Sequence, residues 1–487
     1  MTTLELKDPG LLRQAALIDG AWVPAAGRAS VAVHDPSCNV PIGEVPDCDT
    51  AETEAAINSA CAAWPQWRGR TGHDRAALLE RWHTLVLDNV DDLARIMTAE
   101  NGKPYAEAQG EIRYAASFIK WFAEEGRRVG ARNVVSPERD RRVLVMVEPV
   151  GVAAAITPWN FPAAMITRKC GPALAAGCTV IIKPSDLTPF SALALGELAI
   201  RAGFPAGVIN IVTGMPQLIG ATITASPLVR KLSFTGSTRV GSLLYRQSAD
   251  TVKKLSLELG GNAPLIVFED ADLDLAVSAT MASKFRNGGQ TCVCANRILV
   301  HDAVHDEFAA RLGRAVSALR VAPGMEPGAT IGPMINRATV DKVRVHVDDA
   351  LARGGRIIAK GSGRQDGNFV LPMVIEGATA DMICASEETF GPMAPLYRFG
   401  SEAEALDLSN ATPYGLASYF YTRDLSRAFR VAERLEAGMV ALNTGLMAMA
   451  MAPFGGIKQS GLGREGGYAG IEEYLETKAF HIGGLDL

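Results

Sequence analysis

The chain has 487 residues, 48% of them apolar, and a formal net charge of -5 from 48 basic and 53 acidic side chains mixed along its length. That length exceeds one ordinary core and predicts two or three domains, while the lack of a basic face argues against a nucleic-acid partner. No apolar run is long enough to span a bilayer, MTTLELKDPG does not read as a secretory signal, and eight scattered cysteines without zinc-type spacing predict free thiols, no metal site and a cytoplasmic setting.

In chain order, residues 1–48 read as short strands and turns around Val31, Val33 and Val45. A helix is expected from Asp49, with Glu52 completing a capping-box-like start. A second runs from about Asp74 to Met97. A third follows Lys103-Pro104, with Ile112, Ala115, Ile119 and Phe122 as its buried stripe. After a charged turn at Glu138–Arg142, residues 143–147 (VLVMV) form a strand apolar on both faces, an arm that would pair with another element or subunit.

From Val150 the pattern becomes strand–helix–strand. Strands are predicted at Val152–Ile156, Thr179–Lys183, Val208–Val212 and Lys231–Phe234. One intervening helix has Thr188 as N-cap, Pro189 at its first position and Gly203 then Pro205 at its end. A second alternating block from about Ala263 to Val440 has strands at Leu265–Phe268, Arg297–Val300, Arg356–Ala359 and Pro395–Phe399. Its helices fall near Asp272–Phe285, Asp306–Leu319 and Leu425–Leu435, and the tail Ala479–Leu487 is a candidate final strand. Strands alternating with helices imply parallel sheets that bind ligands beyond their carboxyl ends. In the first block those ends are polar or glycine-rich: Thr157-Pro158-Trp159-Asn160, Lys183-Pro184-Ser185-Asp186, Thr213-Gly214 and Thr235-Gly236-Ser237.

The stretch Phe285–Arg297, FRNGGQTCVCANR, holds a candidate nucleophile, Cys292, after the glycine pair Gly288-Gly289. A reactive thiolate needs polar, open surroundings, and the glycines would let the backbone approach a ligand closely. The competing reading of Cys292 is a small buried apolar residue. Asn160 in TPWNFP, Lys183 in VIIKPSD, Gly236-Ser237 in FTGSTRVG, Glu258 in LELGGNAP and Cys292 follow one another in this order. With Glu388 and Phe390 in EETFGP, and Pro453–Gly456 through Gly463-Arg464-Glu465, the set resembles the aldehyde dehydrogenase superfamily over nearly the whole chain.

The resemblance implies an α/β fold with a Rossmann-type parallel-sheet cofactor domain (1–126 and 148–259) and an α/β catalytic domain (260–440). A small β oligomerisation arm (127–147 and 474–487) and a segment returning to the active site (441–473) complete it. It implies that Cys292 adds to an aldehyde carbon, with the Asn160 amide and the Cys292 backbone N–H meeting the oxyanion, and that Glu258 activates the water that releases the acid. Glu258 lies between Leu257 and Leu259, where its pKa would rise. Without the resemblance, Glu258 reads as a salt-bridge partner and Asn160 as a turn residue. Thr157, Trp159, Lys183, Ser185, Asp186, Gly236, Ser237, Glu388 and Phe390 are expected around a dinucleotide. Lys183 would reach the adenosine ribose and Glu388 the ribose on the nicotinamide side. Asp186 would repel a 2′-phosphate, which favours NAD, although Lys183 and Ser185 leave NADP open.

Arg168 in MITRKCG and Arg286 are the specificity candidates, because two guanidinium groups suit an acid at the far end of a short aldehyde. Either arginine would otherwise pair with a structural carboxylate. Within the superfamily the pattern looks most like the succinate-semialdehyde dehydrogenases, which usually place a serine before the PFGG motif. Here Asn443–Ala452 has no hydroxyl after Thr444 and three methionines, Met447, Met449 and Met451. That departure leaves room for glutarate semialdehyde or sulfolactaldehyde, or marks a face packed on a neighbouring subunit. Cys294 is a redox candidate beside Cys292, or a small packing residue. An acylating enzyme that uses coenzyme A is disfavoured by Glu258, and a catalytically silent member of the fold by the set Cys292, Asn160 and Glu258. A homodimer or homotetramer is expected.

Overall fold

The computed structural model describes residues 4–25 and 29–486. Its organising element is a sheet whose parallel core runs in the order β3-β2-β1-β4-β5, where β1 is Val152–Ile156, β2 Thr179–Lys183, β3 Ile209–Ile211, β4 Val229–Thr235 and β5 Lys254–Glu258. These strands are nearly all buried, as expected where helices cover both faces. The order reverses between β1 and β4, and the crevice beyond their carboxyl ends is where such sheets take ligands. Short antiparallel strands extend the two sides, Ala16–Ile18 and then Ala21–Val23 beyond β3, and Gly461–Leu462 beyond β5.

The second sheet is parallel through β8-β9-β7-β6-β10-β11: β6 is Ala263–Val267, β7 Ala295–His301, β8 Met373–Glu376, β9 Met393–Phe399, β10 Ala417–Tyr421 and β11 Met439–Leu442. Arg356–Lys360 adds an antiparallel edge. The expected arm is a third sheet, in which Arg142–Pro149 pairs antiparallel with Leu475–Ile482 over eight residues and with Arg132–Val134. The tail strand therefore starts four residues before the predicted Ala479, and residue 487 lies outside the described residues.

Five helices position the site: α1 (Tyr105–Glu125), α2 (Ala164–Ala176), α3 (Pro189–Ala202), α4 (Thr238–Ser248) and α5 (Leu273–Lys284). The predicted stripe of α1, Ile112, Ala115, Ile119 and Phe122, is fully buried. The capping box at Asp49 is present, with Asp49 accepting from Ala51 N–H and Glu52 accepting from Asp49 N–H. Two expectations fail for local reasons. The single helix Asp74–Met97 is two, Gly72–Asp88 and Val90–Asn101, because Asn89 leaves helical geometry and its side-chain amide bonds the Leu85 carbonyl. Thr188 precedes α3 but does not cap it through its hydroxyl. The buried Glu100 carboxylate does so instead, accepting Phe190 N–H at 2.7 Å and Ser191 N–H at 2.8 Å. A carboxylate from another helix is a cap that periodicity cannot reveal.

Candidate active site

Cys292 follows a turn of tight, left-handed backbone after α5. Asn287, Gly288 and Gly289 all have positive φ. The glycine pair was expected to admit a ligand, but at Gly289 it admits backbone: a Cβ there would lie 2.3 Å from the Gly391 carbonyl oxygen. The turn is held from α1, where Glu107 accepts the Asn287 N–H at 2.7 Å. The Asn287 amide then donates to the Asn160 carbonyl at 2.9 Å. Lys103 donates to that same carbonyl at 2.8 Å and forms a buried ion pair with Glu111. Glu111 in turn accepts the Ala163 N–H at the start of α2. Asn160 and the nucleophile turn, 132 residues apart in sequence, are thereby locked together.

One amide N–H of Asn160 is spent on the Gln290 carbonyl at 3.0 Å, leaving the other. Among the described residues the Cys292 backbone N–H has no acceptor. These are the two donors the sequence singled out. The half-buried Cys292 departs from the open setting expected of it. Burial pushes its thiol up to about 12, with Glu388 and Glu258 adding to the rise, while Arg168 and Arg286 oppose it. Such a thiol needs proton transfer as well as neighbouring cations to become a nucleophile.

Glu258 ends β5 and is buried, and neither carboxylate oxygen has a hydrogen-bond partner. Burial first, then the neighbouring Glu465 charge, raise its pKa well above the ordinary carboxylate value. A Cβ at Gly455 would stand 2.8 Å from its Oε1, so only glycine leaves that carboxylate uncovered. Glu465 is the opposite case: Lys169 and Arg168 hold it ionised, down to about 2, although burial opposes this. Environment thus pushes the pKa values of two neighbouring carboxyls in opposite directions, Glu258 up and Glu465 down.

Arg168 on α2 is fully buried, 2.6 Å from Glu465 through Nε, and its guanidinium lies 4.0 Å from the Phe454 ring centre. The structural-carboxylate reading thus describes one edge of this side chain, while its charge also acts on Cys292 and Glu258. Arg286 is half-buried, packs 5.0 Å from the Phe161 ring centre, and has no carboxylate within salt-bridge distance among the described residues. Met447 and Ala448 pack on the same apolar cluster as Cys292. Cys294 is buried away from the opening, its sulfur 3.4 Å from the Lys284 ammonium.

At the strand switch, the hydroxyls of Thr157 and Thr235 are buried without partners at the ends of β1 and β4. Gly236 and Ser237 follow β4, and Ser237 caps α4 with its own hydroxyl. Lys183 at the end of β2 is almost fully buried and 3.9 Å from Asp186, and burial lowers its pKa to about 8. The Ser185 hydroxyl accepts the Leu187 N–H. On the other side, Trp159 and Phe390 meet edge to face at 5.5 Å, with Phe390 in left-handed backbone. Burial raises Glu388 to about 8. Orphaned hydroxyls, an underpaired lysine and a helix N-terminus suit a dinucleotide's pyrophosphate and ribose groups. Among the described residues no cluster of side chains is arranged to hold a metal ion, and no helix is long and apolar enough to cross a membrane.

Residues 22–480 match the aldehyde dehydrogenase family. The chain belongs to that family. It is 56% identical to a 3-sulfolactaldehyde dehydrogenase of Pseudomonas putida, over 99% of this chain and all of that one. It is 55% identical to the NADP(+) succinate-semialdehyde dehydrogenase of Escherichia coli K12, again over 99% of this chain and all of the relative. A glutarate-semialdehyde dehydrogenase of Pseudomonas putida KT2440 is 55% identical over 98% of this chain and 99% of its own length. Among solved structures, the succinate-semialdehyde dehydrogenase of Burkholderia pseudomallei superposes with a TM-score of 0.97 at 57% identity, covering 98% of this chain and 99% of that one. The chain is an NAD(P)-dependent aldehyde dehydrogenase.

Sequence reasoning did not find Lys169, Lys103, Glu107, Glu111 or Tyr114. The three α1 residues stand at i, i+4 and i+7, one helical face, so their spacing was visible. What that face meets was not.

Proposed function

We propose that this enzyme oxidises a short aldehyde carrying an acid at its far end, of the succinate-semialdehyde type. The observation that carries the reading is Arg286, a cation acting on Cys292 that has no carboxylate within salt-bridge distance among the described residues. An arginine so placed prefers a planar or tetrahedral oxyanion, and the named activities of the three relatives above all concern anionic aldehydes.

In this reading the Cys292 sulfur adds to the aldehyde carbon, and the free Asn160 N–H and the Cys292 backbone N–H steady the oxyanion. A bound nicotinamide supplies the hydride acceptor. Thr157, Trp159, Lys183, Ser185, Asp186, Gly236, Ser237, Glu388 and Phe390 hold the dinucleotide. The thioester left on Cys292 is released by water that Glu258 deprotonates, its raised pKa making the ionised carboxylate a stronger base than an ordinary one. Glu465, kept anionic, holds Arg168 and Lys169 in place around it. Asp186 favours NAD by repelling a 2′-phosphate, and Lys183 beside it keeps NADP usable. The sheet containing β1–β5 serves the cofactor, the sheet containing β6–β11 the chemistry, and the arm the assembly of dimers or tetramers.

The test is NAD(P)H formation from a panel of succinate semialdehyde, glutarate semialdehyde, 3-sulfolactaldehyde and uncharged aldehydes, with and without coenzyme A. Acid-ended aldehydes should show kcat/KM about a hundredfold or more above uncharged ones of equal length. Equal efficiencies would overturn the substrate reading, and a requirement for coenzyme A would overturn the hydrolytic one.

A further inference from the structure

Glu107, Glu111 and Tyr114 lie on one face of α1. Glu107 and Glu111 are engaged with the backbone of the catalytic segments. Tyr114 is not. Its hydroxyl is buried beside Arg168, whose guanidinium faces the phenol oxygen as a donor, and among the described residues the O–H itself finds no acceptor. Burial raises the phenol's pKa, the Arg168 and Arg286 charges oppose that rise, and Cys292 adds to it. The Phe118 ring, edge-on at 4.9 Å, fixes its orientation. In the returning segment the Thr444 hydroxyl is turned onto its own loop through Leu446.

Resting on the reading above, we propose that Tyr114 is a specificity residue, its O–H donating to the far-end oxyanion of the substrate beside Arg286. An O–H without an internal acceptor, in the field of the Arg168 and Arg286 charges, suits an anion. Carboxylate and sulfonate both supply the acceptor oxygen. An aldehyde ending in a methyl group offers the O–H no acceptor. Burial holds the phenol protonated, so it donates throughout the working pH range.

The experiment compares Tyr114→Phe and Arg286→Ala with the parent enzyme, using succinate semialdehyde and butanal. Tyr114→Phe should raise KM for succinate semialdehyde about tenfold relative to KM for butanal, with kcat for the acid little altered. Succinate, used as an inhibitor competing with the aldehyde, should lose affinity by a similar factor, a readout independent of turnover. Thermal melts should differ little, because the O–H has no internal acceptor and Arg168 keeps its ion pair with Glu465 when the phenol oxygen is removed. Should KM for both aldehydes shift together, or succinate inhibit both forms equally, Tyr114 is a packing residue and the proposal fails. Discrimination lost in Arg286→Ala but retained in Tyr114→Phe would remove this inference alone. Discrimination retained in both would remove the substrate reading too.

Discussion

At Cys292 the decisive quantity is the free energy of ionising a thiol that is largely withdrawn from water. Burial and two nearby carboxyls oppose ionisation, and two arginines favour it. The ionised fraction grows as pH rises towards a raised pKa, so kcat/KM should climb from about pH 6 to 9. Arg286→Ala removes one opposing cation and should displace that limb to higher pH, which a pH–rate profile reads directly. Cys292→Ala should lower kcat by about 10⁴-fold or more, since the neighbouring thiol, Cys294, is buried against Lys284. At the cofactor end, Asp186→Asn should raise the ratio of NADP to NAD efficiency about tenfold by removing repulsion of a 2′-phosphate, measured by initial rates with each cofactor.

Among the elements, α1 carries more of the site than any strand end does. Its Glu107 fixes Asn287, and its Glu111 reaches both Lys103 and the first turn of α2. Lys103 and Glu111 are both about 1% exposed, so removing one charge leaves the other buried and uncompensated. Lys103→Met should therefore cost about 3–5 kcal/mol in stability, read from denaturant unfolding. It should also lower kcat, because the Asn160 carbonyl loses one of its two anchoring donors. A pair that served stability alone would leave the kcat of the folded fraction at the parent value.

For the whole molecule, the open question is what covers the arm. Arg142–Pro149 and Leu475–Ile482 form a long ribbon in which Val143–Val147 are only half-buried and Phe480 is 49% exposed. Apolar strands in this condition are the kind that a second copy of the chain can cover, the role proposed for the arm. Val145→Asp should shift the assembly towards smaller species by analytical ultracentrifugation, while kcat per folded chain falls less than the assembly does. An unaltered sedimentation profile would leave the arm without that role.

By itself the sequence determined the alternation of strands and helices, the polar strand ends and which residues are candidates for the reaction. Those features are local: Val152–Ile156 is a strand wherever it packs, and a Thr-Pro-Trp-Asn turn follows it regardless of neighbours. The break at Asn89 and the cap supplied by Glu100 were missed, since side-chain competition and a partner from another helix leave no periodic trace. Only the tertiary structure decided which charges stand together. Arg168 and Arg286 look alike as residues, yet Glu465 occupies one and the other has no such partner. Glu258 and Glu465 are the same side chain, yet Lys169 and Arg168 keep the second ionised while desolvation raises the pKa of the first. Burial and Coulomb interaction act through space over a few ångströms, and no spacing along the chain records them.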